Sequence, residues 1–444
     1  MSAVGWLRHP ARLVPAAVLL MIGAGTVLLM LPVARSGSGS APWNIALFTS
    51  TGALCGALGI VDSAGYWSGF GEATLVGLMQ VGGFGIMTMA TLLGIVVSRR
   101  LGLSTRLLAQ SEFQGIRLGE VRSVVVRIAQ TTLAVEAIGA VILALRFSIG
   151  YDMSPATAAW HGVFHSVSAF NNAGFALYPD NLMRYVADPW VSLTVAFSAL
   201  LGGIGFPVLF ELRREFRQPA RWSIHTKLTM VGSAILLAIG TVGVLGFEWR
   251  NPATLGPLDW PGKLLAAFFG AVTPRTAGFN TIDYAQAHAE TLALTDALMF
   301  IGGGSAGTAG GIKLTTFFLL GFAILAEIRG ERDVTIFHRR VGFRVLRQAL
   351  TVALLGVAVA ALGTFALLIT TDQPLDAVMF NAMSAFGSVG TSVGVTPELP
   401  IPAQLVLIVI MYLGRTGPVA AATALALRSR HQLYRLPKER PIVG

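Results

Sequence analysis

The sequence predicts an all-α polytopic membrane protein, and three observations predict it. Of 444 residues, 54% are apolar and only 12% are charged, about half the charge of a soluble domain. The apolar residues gather into eight runs, at about 13–31, 72–97, 128–146, 190–210, 228–247, 292–326, 349–370 and 403–427, each long enough to cross a bilayer. Basic residues cluster after every second run. A disordered chain would need low hydrophobicity and high charge, and a soluble enzyme could not cover its surface with so few charges.

The charge pattern orients the chain. The net charge is +10, and 24 of the 32 Lys and Arg fall at Arg8 and Arg12 and in the stretches 98–127, 211–227, 326–347 and 428–440. Those stretches hold only eight of the 22 acids. This asymmetry places them in the cytoplasm, and with them both termini. The remainder carries more acid than base, which favours cations on the opposite face. Basic residues spread between spans in this way argue against nucleic-acid binding. The first run follows two arginines but is longer than the apolar core of a signal peptide, so it is read as a retained helix. Cys55 is the only cysteine, so no intrachain disulfide forms.

The elements repeat. Each outer connection holds an apolar stretch of about 10–14 residues, too short to span, followed by a glycine-containing turn. Phe164 to Gly174 matches Phe380 to Gly390 with Ser-Ala-Phe in register; Phe48 to Ala57 matches Phe269 to Gly278, and both reach an Asp five residues later, Asp62 and Asp283. The helices that follow carry small-residue clusters at Gly82–Gly85, Gly202–Gly205, Gly302–Gly304 and Gly414–Gly417, which suit close helix packing. The unit is a helix, a re-entrant half-helix with its turn, and a second helix. It occurs four times, at 1–97, 98–217, 218–330 (its second helix broken by glycine) and 331–427, before a cytoplasmic tail at 428–444. Eight transmembrane helices and four re-entrant pore helices result. Irregular backbone at membrane depth must be buried or line a cavity, so four such turns about one axis predict a pore.

The turns carry the chemistry of a selectivity filter, in which backbone carbonyls replace an ion's water shell. Inward-pointing carbonyls need backbone angles that disfavour a Cβ, which glycine adopts at little cost. Gly174, Gly278 and Gly390 recur where this demands. The candidate filter is Cys55, Gly56, Ala57 and Leu58; Asn172, Ala173 and Gly174; Thr276, Ala277 and Gly278; and Ser388, Val389 and Gly390. The match to the third repeat puts Ala57 at the filter-glycine position, forced to positive φ at a cost of about 1 kcal/mol; a slipped alignment uses Gly56 or Gly59 instead.

The sixth run contains Gly302, Gly303, Gly304, Ser305, Ala306, Gly307, Thr308, Ala309, Gly310 and Gly311, six glycines in ten residues. A continuous helix is poorly supported there, at about 1 kcal/mol lost per glycine. The stretch is expected to be a gating loop below the third turn. Arg415, mid-span, is a costly charge expected to face the cavity beside this loop and to tie it shut, with Lys313 at the inner mouth. Glu136 reads as a helix-packing partner and not as an ion ligand. Gly303-Gly-Ser-Ala-Gly307 fits the G-x-S-x-G pattern of serine hydrolases, with His161 and His165 as conceivable bases, but those lie on an outer segment of another repeat and read instead as hydrogen-bonding within the pore helix. Lys313 is followed by Leu314, so no phosphate-binding P-loop is present, and no cluster has metal-site spacing.

The turns Phe170-Asn-Asn-Ala-Gly-Phe175, Thr273-Pro-Arg-Thr-Ala-Gly-Phe279 and Ser384-Ala-Phe-Gly-Ser-Val-Gly390, with Gly310-Gly-Ile-Lys313 and Gly414-Arg-Thr-Gly-Pro418, resemble those of the Trk/Ktr/HKT potassium-transport superfamily over nearly the whole chain. The length is most similar to the Ktr membrane subunit. The resemblance implies four M1-P-M2 repeats, potassium uptake across the plasma membrane, a homodimer within membrane lipid, and a cytoplasmic nucleotide-binding ring subunit that gates it. This chain is then expected to bind no cofactor itself. Potassium is the transported ion, sodium a candidate activator, and any ATP, ADP or NAD sits on the partner. In one respect the chain departs from the family pattern. The family's first turn usually reads Cys-Val-Thr-Gly-Leu, whereas Cys55-Gly-Ala-Leu58 is one residue shorter, and a non-glycine residue there is associated with sodium transport in plant members. Weaker discrimination between potassium and sodium is the expectation. A sodium-permeable or cation-coupled symporter on the same scaffold is the second reading, and an intramembrane serine protease the remote one.

Overall fold

The computed structural model describes residues 10–100 and 121–427. The N-terminal Arg8, most of the basic stretch after residue 98 and the tail 428–444 lie outside the described residues. The described chain is helical apart from a hairpin of β1 (Thr335–Ile336) and β2 (Arg339–Arg340). Its helices of ten or more residues are α1 (Pro10–Leu29), α2 (Trp43–Cys55), α3 (Gly69–Arg100), α4 (Val121–Gly150), α5 (Pro155–Phe170), α6 (Pro189–Ile204), α7 (Phe206–Glu215), α8 (Ile224–Glu248), α9 (Trp260–Val272), α10 (Ala289–Phe300), α11 (Leu314–Ile328), α12 (Phe343–Thr370), α13 (Leu375–Gly387) and α14 (Ile401–Leu427).

Local chemistry fixes several starts. Ser154 caps α5 through Thr157 N, with Pro155 in the first turn. Asp188 caps α6 and Asp259 caps α9, each ahead of a proline. Such caps satisfy amides that the first turn leaves free, and proline there loses nothing.

Among the described residues, α8, α12 and most of α4 are long and apolar enough to cross a membrane on their own, and α6 with α7 makes a fourth if the bent pair is one span. Two runs are not single helices. The sixth is divided into α10 and α11, as its glycines predict. The fourth, expected to continue through 190–210, turns by 98° between α6 and α7. Gly205 at the junction has φ 96 and ψ 145, open to glycine alone, and Pro207 follows without an N–H to continue the ladder.

The four short helices α2, α5, α9 and α13 lie inside the assembly. Each packs on the long helix before it, α1, α4, α8 and α12. The helix after each also touches a short helix of the next set: α3 packs on α5, α6 on α9, α10 on α13, and α14 on α2. The contacts therefore close into a ring. Glycine permits the closest approaches. A Cβ on Gly82, Gly202 or Gly414 would strike the carbonyl of Leu54, Phe170 or Phe386, at the C-terminal ends of α2, α5 and α13.

Candidate functional site: converging turns above a buried loop

The C-terminal ends of the short helices open into four similar turns. A residue in the left-handed region comes first: Gly56 (φ 66), Asn172 (φ 53), Thr276 (φ 88) and Ser388 (φ 53). The next residue donates its N–H back to the short helix. Ala57, Ala173 and Val389 bond the carbonyls of Gly52, Ser168 and Ser384 at 2.9, 2.8 and 2.9 Å, and Ala277 bonds Thr273 at 3.0 Å. In three turns a glycine with positive φ follows: Gly174 (74), Gly278 (77) and Gly390 (102). A Cβ on Gly174 would hit the Gly278 backbone, one on Gly278 would hit Val389 O and Gly174, and one on Gly390 would press on Ala57 O. The four turns thus meet at one place, packed backbone against backbone.

The first turn corrects the sequence reading. Ala57 does not hold the filter-glycine position and is not among the residues with positive φ. Its N–H bond aligns it with Ala173, Ala277 and Val389, one residue earlier, and the left-handed residue is Gly56. The sequence match fixes Ala57 by its nine residues from Phe48 and five to Asp62, whereas the bond from Ala57 N to Gly52 O sets a different register. The missing residue falls after Ala57. In the second turn Ser168 Oγ donates to Phe175 O at 2.8 Å; in the first, Gly52 stands level with Ser168 and its bare Cα borders Leu58 O. Leu58 therefore takes the place of Phe175, and no residue matches Gly174.

Side chains behind the turns hold them. Ser384 Oγ accepts from Gly390 N at 3.1 Å. The Asn171 amide donates to Gln80 Oε1 and Glu136 Oε1, both at 2.9 Å, and Gln80 donates to Glu136 at 3.2 Å. Glu136 is 5% exposed, and this clamp joins α3 and α4 to the residue that ends α5. His165 Nδ1 lies 2.7 Å from His161 O, and its Nε2 accepts from Leu177 N at 3.2 Å. His161 Nδ1 lies 2.9 Å from the Tyr178 hydroxyl. The buried Arg275 donates to Ser233 Oγ at 2.9 Å. Across the outer side, Asn181 Oδ1 accepts from Asn280 N and Leu182 N donates to Asn280 O, at 3.4 and 3.1 Å, which ties the second turn's continuation to the third's. The paired Ser-Ala-Phe segments were the visible signal for Ser168 and Ser384; Gln80, Arg275 and Asn181 carry none, because their partners are distant in sequence.

Residues 301–313 form a loop under these turns. Its two ends are stitched together, Gly302 N to Ile312 O at 2.8 Å and Leu314 N to Gly303 O at 3.0 Å. Its middle is held by the broken end of α6: Gly304 N donates to Gly203 O at 2.8 Å, and Thr308 N to Gly202 O at 3.1 Å. The bend at Gly205 leaves those carbonyls without helical partners, and the loop supplies them. Gly205 itself abuts Ser305 O and Gly307 N. Thr308 is the hub. Its hydroxyl donates to Phe170 O at 3.2 Å and lies 2.5 Å from the Asn172 amide, and its carbonyl accepts from Arg415 Nη1. On the other side Gly310 lies against Ser388 and Gly387. Lys313 Nζ bonds Ala309 O. Arg415 is 3% exposed, and neither it nor Lys313 has a carboxylate partner among the described residues.

The chemistry follows from the placement. The helix ends bring partial negative charge to the meeting point of the turns, where backbone carbonyls such as those of Ala57, Gly278 and Val389 come close together. Ser305 Oγ lies 3.2 Å from Thr315 Oγ1, while His161 and His165 are engaged on α5, so the hydrolase pattern does not assemble. Among the described residues no group of His, Cys, Asp and Glu could hold a metal ion.

Known proteins share this arrangement. The family model of the TrkH cation transport proteins matches residues 7–431. The chain is 41% identical over 420 residues to Ktr system potassium uptake protein B of Bacillus subtilis, covering 94% of this chain and 93% of that protein. It is 38% identical to the protein of the same name from Vibrio alginolyticus, covering 94% and 91%. It is also 30% identical to the potassium/sodium uptake protein NtpJ of Enterococcus hirae, covering 98% and 97%. The crystal structure of the potassium transporter TrkH from Vibrio parahaemolyticus has the same fold, with TM-score 0.70 at 17% identity over 94% of this chain and 84% of that one.

Proposed function

The chain belongs to the family of TrkH cation transport proteins, and from that premise we infer that it is a potassium-uptake protein and not an enzyme. The observation that carries the reading is the convergence of Gly174, Gly278 and Gly390 at positive φ, backbone against backbone, at the ends of short buried helices. The chain is read as four M1-P-M2 repeats with eight membrane crossings, and the ring of helix contacts supports this. Potassium sheds its water onto the carbonyls of the turns and moves inward by channel-like permeation. The loop 301–313 closes the path below, and Arg415 and Lys313 add a barrier of positive charge. The protein sits in the plasma membrane with its termini in the cytoplasm, as the basic clusters suggest. It works as a homodimer beneath which a cytoplasmic nucleotide-binding ring subunit moves the loop; relatives named as parts of a Ktr system support a partner. Expression in a cell deficient in potassium uptake should restore growth at low potassium. Absence of rescue, with the protein present in the membrane and its ring subunit supplied, would refute the reading.

A second reading concerns sodium. The first turn lacks the residue that matches Gly174, Gly278 and Gly390, so one ring of the filter is formed from three turns. Fewer carbonyls hold potassium less selectively. Inserting a glycine after Ala57 should raise the ratio of rubidium to sodium uptake several-fold, on the order of 1 kcal/mol. Ala57→Gly, at a position already matched by alanine in two other turns, should leave the ratio unchanged. If Ala57→Gly shifts the ratio and the insertion does not, the register given above is wrong.

A further inference from the structure

The transport path leaves one built surface unused, at the C-terminal end of α7 and in the segment after it. Arg213, Arg214, Arg217 and Arg221 line an open recess with Phe216. All four arginines are exposed, and Phe216 is 72% exposed. Only Arg214 has a carboxylate partner among the described residues, Glu215 at 2.9 Å. The nearby Glu211 is taken up by Ser223 N, Ser223 Oγ and Thr226 Oγ1, at 2.6, 2.7 and 2.5 Å. The recess, which Glu215 also lines, therefore gathers three guanidinium groups, those of Arg213, Arg217 and Arg221, without a carboxylate partner among the described residues, beside a bare phenyl ring.

The geometry selects the partner. α7 leaves the axis of α6 at 98°, so where α6 crosses the bilayer α7 runs along its surface. The inner face of α7 buries Phe206 and Val208, its last turn carries Arg213 and Arg214, and Phe216, Arg217 and Arg221 lie in the segment that follows it. Guanidinium forks match phosphate oxygens, and an exposed aromatic ring beside basic residues suits the boundary between headgroups and acyl chains. We propose that this recess binds the headgroup phosphate of an anionic phospholipid on the face that the basic clusters mark as cytoplasmic. Inorganic phosphate shares the charge but has no use for Phe216. The site also bears on the loop: Gly205, the pivot of α7, lies on Ser305 O and Gly307 N. A lipid that fixes α7 fixes one wall of the loop's seat.

The test uses the full-length protein in nanodiscs and in native mass spectrometry, with phosphatidylglycerol and phosphatidylcholine as probes. Wild type should retain phosphatidylglycerol over phosphatidylcholine, and each Arg→Gln change at 213, 214, 217 or 221 should lower that retention about fivefold. Arg→Lys variants should keep most of it, which separates lost charge from a lost fold. Phe216→Ser should weaken lipid retention and leave any inorganic phosphate binding unchanged. Equal retention by wild type and the quadruple glutamine variant would overturn the proposal. So would displacement of the lipid by equimolar inorganic phosphate, or a defect limited to capture of a cytoplasmic protein partner. A second arm rests on the transport reading: anionic lipid should change rubidium flux into liposomes for wild type and not for the quadruple variant. Retention without a flux response would retract the link to the loop and leave the lipid site standing.

Discussion

The filter turns and the loop beneath them are both glycine-rich, buried and irregular, yet they are held by different partners. Each turn is bonded largely to its own short helix: Ala57 to Gly52, Ala173 to Ser168, Ala277 to the Thr273 that follows α9, and Val389 to Ser384. The middle of the loop is held by others, namely Gly202 and Gly203 of α6, Phe170 of α5 and Arg415 of α14. On the proposed function, the difference teaches how two jobs divide. A structure that must keep its geometry takes bonds from the element that carries it. A structure that must move takes bonds from elements that can shift relative to it.

Substitutions can break this comparison, beginning with the largest effect. Gly278→Ala puts a Cβ against Val389 O and Gly174, which no rotation relieves; rubidium uptake should fall by roughly 100-fold, the equivalent of ~3 kcal/mol of strain. Arg415→Gln removes a charged donor from Thr308 O, and resting flux without the ring subunit should rise by roughly tenfold. If both variants merely abolish uptake, the filter and the loop are not distinct devices. Thr308→Val keeps the shape and the N–H bond to Gly202 but loses the hydroxyl between Phe170 and Asn172, and resting flux should rise by about fivefold. Glu136→Gln keeps a partner for Asn171 and leaves the centre untouched. Its uptake should stay within about twofold of wild type, and a large change in ion selectivity would move Glu136 from the supporting clamp to the path itself.

The sequence carried the architecture of the filter further than that of the loop's seat. Glycines at fixed distances from Phe164 and Phe380 are legible because each turn is fixed by neighbours on its own short helix. The same argument failed at Ala57, where one residue is missing and length alone does not say on which side of the gap. The bond from Ala57 N to Gly52 O decides it, and that requires coordinates. The bend of α6 had a signal in Gly205 and Pro207, two residues apart, although the Gly202–Gly205 cluster reads equally well as a packing patch. Thr308 had none, because its hydroxyl meets Phe170 from 138 residues away, and no local pattern encodes a contact so remote.

The closure of the helix ring also makes its first and last elements depend on each other. α14 packs on α2, the first of the short helices, and a Cβ on Gly414 would strike Phe386, so the ring closes only where these elements meet. Without α14, α2 has no neighbour to complete the ring. On the transport reading, an open ring leaves the carbonyl-lined path without its last wall, so conduction waits on the contact between α14 and α2.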